Sequence, residues 1–216
     1  MKSLDKLVSI HAGQALCSQR SIKETNGVSD SKWRLLLDVL RAKNGFYAFE
    51  SALHFLPLGE LSDGFDLVEW NRVDLWKNAY TGFDLSGLTC FAENVFGDQF
   101  CLHRDQFVRF DPETGDVELI AKTLDDWAES IISDPDYHLG FALAHRWQEV
   151  NGALTKGNRL VPKKPFVCGG DFEVSNLVQM DAVKAMRFRG ELATQVRDVP
   201  DGSTVKFELR GAGFDG

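Results

Sequence analysis

Leu88-Thr89-Cys90-Phe91-Ala92-Glu93-Asn94-Val95-Phe96-Gly97-Asp98-Gln99-Phe100-Cys101-Leu102-His103 is the stretch whose reading decides the fold. Two apolar runs flank Phe96-Gly97-Asp98-Gln99, and Gly97-Asp98 suits a hairpin turn because glycine adopts positive φ without penalty. The arrangement then repeats. Phe107-Val108-Arg109-Phe110 and Val117-Glu118-Leu119-Ile120 flank Asp111-Pro112-Glu113-Thr114-Gly115-Asp116, with Pro where a turn fixes φ and Gly where it needs positive φ. The reading is four antiparallel strands in a meander. A two-residue turn at Gly97-Asp98 sets Cys101 opposite Asn94 and not opposite Cys90.

Working outward, Thr123 is an N-cap, Asp125 and Asp126 lie in the first turn where carboxylates favour the helix dipole, and Leu124, Trp127 and Ile131 share one side. Asp136 opens a second helix with Leu139, Leu143 and Trp147 on its core face and Asn151-Gly152 as its stop. Upstream, Ser31 caps a helix carrying Trp33, Leu36, Leu37 and Leu40, ended by Asn44-Gly45. Phe46-Tyr47-Ala48-Phe49 and Leu53-His54-Phe55-Leu56-Pro57 are short apolar segments, either strands or a packed turn. Residues 66–80 read loosely as a helix through Leu67, Val68, Trp70, Leu75 and Trp76. The tail holds Gly157, Pro162, Pro165 and Gly169-Gly170, then a helix near 181–197 and a last strand from Thr204 to Leu209. The fold class is α+β, a mostly antiparallel (mixed) sheet with helices packed on it. The expected organisation is a polar segment over 1–29, a domain over 30–152 and a C-terminal elaboration over 153–216 packed on the same domain.

With 216 residues, the chain can bury a sizeable core without staples. Its 44% hydrophobic and 26% charged content is that of an ordinary globular protein. A net charge of −8 argues against a general nucleic-acid binder, which needs a basic face. No apolar run approaches the roughly 18 residues of a membrane span, and the N-terminus does not read as a secretory signal. Cys17, Cys90, Cys101 and Cys168 are widely spaced without a CxxC pair, which suits reduced thiols and a cytoplasmic location.

No catalytic, metal or cofactor site is expected. His103-Arg104-Asp105 spells a kinase catalytic-loop triplet, but Phe110 stands where the metal-holding Asn belongs and no phosphate loop precedes it. His138 and His145, seven apart on one helix, are about 10 Å apart along the axis and cannot share a metal. Cys101 and His103 on one strand lie about 7 Å apart, beyond hydrogen-bond reach.

Charge distribution is the surviving feature. From Arg104 to Asp136 ten carboxylates face three bases, while from Lys156 to Arg197 eight bases face four acids. Such blocks are either two solvated faces or a surface that steers a partner of opposite charge.

The order Arg41-Ala42-Lys43-Asn44-Gly45, Ala48-Phe49-Glu50, the meander from Phe91 to Phe100, Val108-Arg109-Phe110-Asp111-Pro112-Glu113-Thr114-Gly115 and an acidic helix around Trp127 resembles the SUKH superfamily, over about residues 30–150. That superfamily includes yeast cell-wall synthesis regulators and bacterial immunity proteins of polymorphic toxin systems. Phe46 stands where its members commonly carry a second Gly, and the chain beyond residue 152 exceeds the usual domain. The resemblance implies an α+β domain that binds proteins without turnover. The leading expectation is an immunity protein that neutralises a toxin domain. A cytosolic regulator or scaffold without a toxin partner is the alternative, and an enzyme with an unrecognised site the remote one. Partner-binding candidates are Asp111, Glu113, Asp125, Asp126, Glu129, Asp134 and Asp136 for steering and rim. Trp70, Trp76 and Trp127 are the candidate anchors, each also open to core packing.

Overall fold

The computed structural model describes residues 2–10, 15–18, 34, 36–59, 61, 64–200 and 202–203. Six antiparallel strands follow one another in chain order across a single sheet: β1 (Phe46–Ala48), β2 (Leu53–Phe55), β3 (Thr89–Asn94), β4 (Gln99–His103), β5 (Gln106–Phe110) and β6 (Val117–Ala121). The first two answer the question left open for residues 46–57: they form a hairpin, turned by Phe49, Glu50 and Ser51 at positive φ. The expected meander is β3 to β6. His103-Arg104-Asp105 sits at the β4–β5 turn, where Arg104 and Asp105 both have positive φ, as a two-residue hairpin turn of the I′ type demands.

Register in the first hairpin of the meander departs from expectation. The turn is wider than two residues, with Asn94 N–H donating to the Asp98 carbonyl and Gly97 N–H to the Asn94 carbonyl. A bulge then falls between Cys90 and Ala92. Together they bring Cys90, not Asn94, opposite Cys101, with the two sulfurs 3.0 Å apart. The side chain of Asn94 holds this loop by accepting from Phe96 N–H and Asp98 N–H.

Seven α-helices pack against the sheet among the described residues. Helix α1 (Ser3–Ile10) lies in the segment expected to be polar and without structure, and its buried Leu7 joins the core. Helix α2 (Leu37–Ala42) occupies the end of the region expected to be helical; Ser31 and Trp33 lie outside the described residues, as does the expected Thr204–Leu209 strand. The loose helix over 66–80 is two short pieces, α3 (Leu67–Trp70) with an Asp66 capping box and a 3₁₀ turn at Lys77–Ala79. Helix α4 (Leu124–Ser133) is capped by Thr123 as expected, and its Trp127 is fully buried edge-on to Phe91 and Phe100. The next expected helix is broken at Gly140 into α5 (Pro135–Leu139) and α6 (Phe141–Asn151), with Leu139, Leu143 and Trp147 facing the core.

Beyond residue 152 a second sheet of two strands, β7 (Asn158–Pro162) and β8 (Leu177–Asp181), leads into α7 (Ala182–Val196). Helix α7 crosses the 3₁₀ turn so closely that a Cβ on Gly190 would lie 2.8 Å from the Tyr80 ring. Two arginines fasten this region to the large sheet. Arg189 donates to the carbonyls of Phe96 and Leu160, and Arg159 forms a 2.6 Å ion pair with Glu93.

Candidate functional site

The structure divides the predicted acidic stretch among three jobs. On α4, Asp125 accepts the Leu4 N–H at 3.0 Å and Glu129 accepts the Ser3 hydroxyl, so α1 of the same chain engages two of its carboxylates, while Glu129 and Asp126 stay exposed. Asp134 caps α5 by accepting the Tyr137 N–H, and Asp136 caps α6 by accepting the Ala142 N–H at 2.8 Å. In the β5–β6 turn, Asp111 accepts the Glu113 and Thr114 N–H groups. Glu113 is buried, accepts the Val167 N–H at 2.9 Å and lies 3.9 Å from the Arg189 guanidinium.

The predicted tryptophan anchors are interior. Trp70 donates its indole N–H to Gln99 at 2.7 Å, Trp76 donates its own to the Trp70 carbonyl, and both rings are buried, as is that of Trp127. A side chain so enclosed cannot enter a partner's pocket. The correction has a plain cause: imperfect helical spacing in residues 66–80 gave no indication of which face was inside, whereas the fold wraps that segment over the sheet.

An exposed aromatic takes their place. Phe172, 63% exposed, stacks on Phe166 at 3.9 Å and meets the edge of Phe96 at 6.1 Å. It borders a groove of about 510 Å³ into which Asp98, Asp111, Asp136 and Arg109 also face. Tyr137, equally exposed, forms another wall, with the Arg109 guanidinium over its ring at 5.2 Å. Burial and the neighbouring Asp111 push the Asp98 carboxyl up to about 6, against the opposing pull of Arg109 and Arg189. A deeper recess of about 190 Å³ continues from Phe172 to Glu113 and Arg189. Aromatic rings beside carboxylates, of which Asp98 is desolvated, can seat a basic side chain of a partner. Asp111 and Asp136 thus share a site, which Asp125, Asp126 and Glu129 on α4 do not line.

On the other side of the fold a row of polar side chains crosses four strands. Tyr47 of β1 pairs with His54, His54 with Glu93, and Glu93 with Gln99. The His54 ring stacks on Tyr47 at 4.2 Å and its Nδ1 lies 3.0 Å from Glu93. Gln99 donates to the other Glu93 oxygen at 3.2 Å, and Arg159 closes the row from β7. Burial alone would raise the Glu93 carboxyl, but the Arg159 charge and the His54 contact hold it at about 2. Burial lowers the His54 pKa. Tyr47, His54 and Glu93 border a cavity of about 570 Å³. Among its described lining residues there is no serine, threonine or cysteine to act as a nucleophile for a His–Glu pair.

No protein-family model matches this chain, and no curated protein matches it in sequence. Its fold is similar to that in the crystal structure of Atu4351 from Agrobacterium tumefaciens, with a TM-score of 0.51 over 83% of each chain. At 15% identity that likeness concerns the fold alone.

Neither Phe172 nor the polar row was singled out from the sequence. Phe172 sits in a loop with no periodicity to mark it. His54 and Glu93 are 39 residues apart, and only strand pairing brings them together. No group of three metal-ligating side chains occurs among the described residues.

Proposed function

We propose that this chain is a SUKH-type protein-binding module whose role is to neutralise a toxin domain by occluding it. The observation that carries the reading is the groove in which exposed Phe172 and Tyr137 stand beside Asp98, Asp111 and Asp136. Large exposed aromatics next to carboxylates form the kind of anchor cluster on which binding energy concentrates. The order of α2, the β1–β2 hairpin, the meander and α4 supports the SUKH resemblance. Basic residues of the partner enter the groove, and an interface of roughly 1,600 Å² covers the partner's active site or substrate cleft.

The test is capture from native lysate with wild-type protein and with Phe172→Ser, at low and high salt, followed by titration against the captured protein's activity. The expected outcome is one toxin-like protein that wild type holds at low salt and inhibits stoichiometrically. Phe172→Ser weakens that capture by at least tenfold, equivalent to about 1.4 kcal/mol. A partner that is held equally by both proteins, or whose activity is unaffected, overturns the assignment of the groove.

A further inference from the structure

We propose that the cavity between the large sheet and the C-terminal hairpin binds a small amphipathic acid. Its ligand has an aromatic body, an O–H or N–H donor at the buried end and a carboxylate at the mouth. This site shares no lining residue with the Phe172 groove. At about 570 Å³ the cavity falls within the range of small-molecule sites, and like them it sets a few polar groups among apolar walls, here including Leu56, Phe65 and Trp70.

The buried end is defined by His54, whose residue is 9% exposed. Its Nδ1 lies against Glu93, which pairs with Arg159 at 2.6 Å and is ionised. A carboxylate only accepts, so Nδ1 carries the proton. Burial and the neighbouring Arg159 charge both disfavour a second proton, leaving the ring neutral and Nε2 with a lone pair. Nδ1 makes the one hydrogen bond of this ring among the described residues, so Nε2 is an unused acceptor on a group that lines the cavity. Nε2 is not among the enclosed unpaired side-chain atoms, so water reaches it through the cavity, and a hydroxyl or N–H of a ligand replaces that water. The rings of Tyr47, Phe65 and Trp70 provide the walls for an aromatic body.

The charge of the ligand follows from the rim. Glu93 is already neutralised by Arg159. Asp181 also borders the cavity, but its carboxylate accepts the Lys184 N–H at 2.9 Å and sits at the positive end of the 15-residue helix α7. Lys156 borders the cavity without an ion pair among the described residues. Among the described lining residues the cationic group left for a ligand is therefore Lys156, and it favours a carboxylate at the mouth.

The experiment titrates the full chain with a panel of phenolic and indolic carboxylates, each matched with its counterpart lacking the O–H or carrying N-methyl. Amide and imidazole nitrogen NMR shifts are the readout. The expected result is a set of shifts at Tyr47, His54 and Trp70, including the His54 Nε2 signal. Removing the donor should weaken binding about fivefold, as one unmade hydrogen bond does. Lys156→Ala, at an exposed position that leaves the fold intact, should weaken the acids by a similar factor and leave their neutral amides unchanged. No shift at these residues with millimolar acid overturns the proposal. So does equal binding of the donor-free counterparts, or indifference to Lys156→Ala.

Discussion

Replacing Glu93 by Gln leaves Arg159 buried at 1% exposure without a countercharge and with its Nε already unpaired, and an amide has a single oxygen, so it cannot accept from both the His54–Arg159 side and Gln99. Breaking a buried pair from one side costs more than the pair contributes, because the remaining charge stays desolvated. Glu93→Gln is therefore expected to lower unfolding free energy by about 3 kcal/mol at neutral pH, measured by urea titration. The pH dependence has a defined sign. Glu93 falls from its ordinary 4.5 to about 2 on folding, so its contribution is complete above 4.5 and is lost as pH drops through 2. His54, lowered from 6.5 by burial, acts with the same sign, since the unfolded chain takes up its proton first. Asp98, held at about 6, acts in the opposite sense because the folded chain takes up its proton first, so the clean signal lies on the acid limb, where Glu93→Gln should flatten the loss between 4.5 and 2.

Among the elements, the break between α5 and α6 shapes the groove. Gly140 adopts φ +68 there, and a Cβ at this position would run into the Phe96 ring. Gly140→Ala thus combines a left-handed backbone penalty with a core clash and is expected to cost about 2 kcal/mol, read from thermal unfolding. It should also weaken partner capture, because Gly140, Phe96 and Tyr137 border the same groove. This break shows how far sequence reasoning reached. The apolar spacing of Leu139, Leu143 and Trp147 marked the buried side correctly, yet one continuous helix was expected because a single glycine within such a pattern is often tolerated. Thr123 and the Asp111–Asp116 turn were legible because caps and turns are local chemistry. Strands β7 and β8 were not: Pro162 and Pro165 read as loop, and Arg159, Gln179 and Asp181 blur the alternation that marks a strand. The Cys90–Cys101 pairing needed both the wide turn and the bulge, and neither has a signature in residue type alone.

For the molecule as a whole, the region beyond residue 152 completes the interior of the domain before it. Arg159 supplies the countercharge of Glu93, Arg189 bonds the Phe96 carbonyl, and Leu160, Leu177 and Met186 join the same apolar core as Phe91 and Trp127. A chain ending at Gly152 would retain the six-stranded sheet in sequence but leave a buried carboxylate without its cation and the apolar surface beneath α7 open to water. That fragment is expected to lack a cooperative transition. The full chain should unfold in one step, with tryptophan fluorescence and far-ultraviolet circular dichroism tracing the same curve. Coincidence of the two probes in the full chain, together with a broad, non-cooperative melt of the fragment, would make residues 153–196 part of one folding unit. Two separated transitions, or a fragment that melts as sharply as the whole, would instead mean that the arginine contacts join independently stable parts.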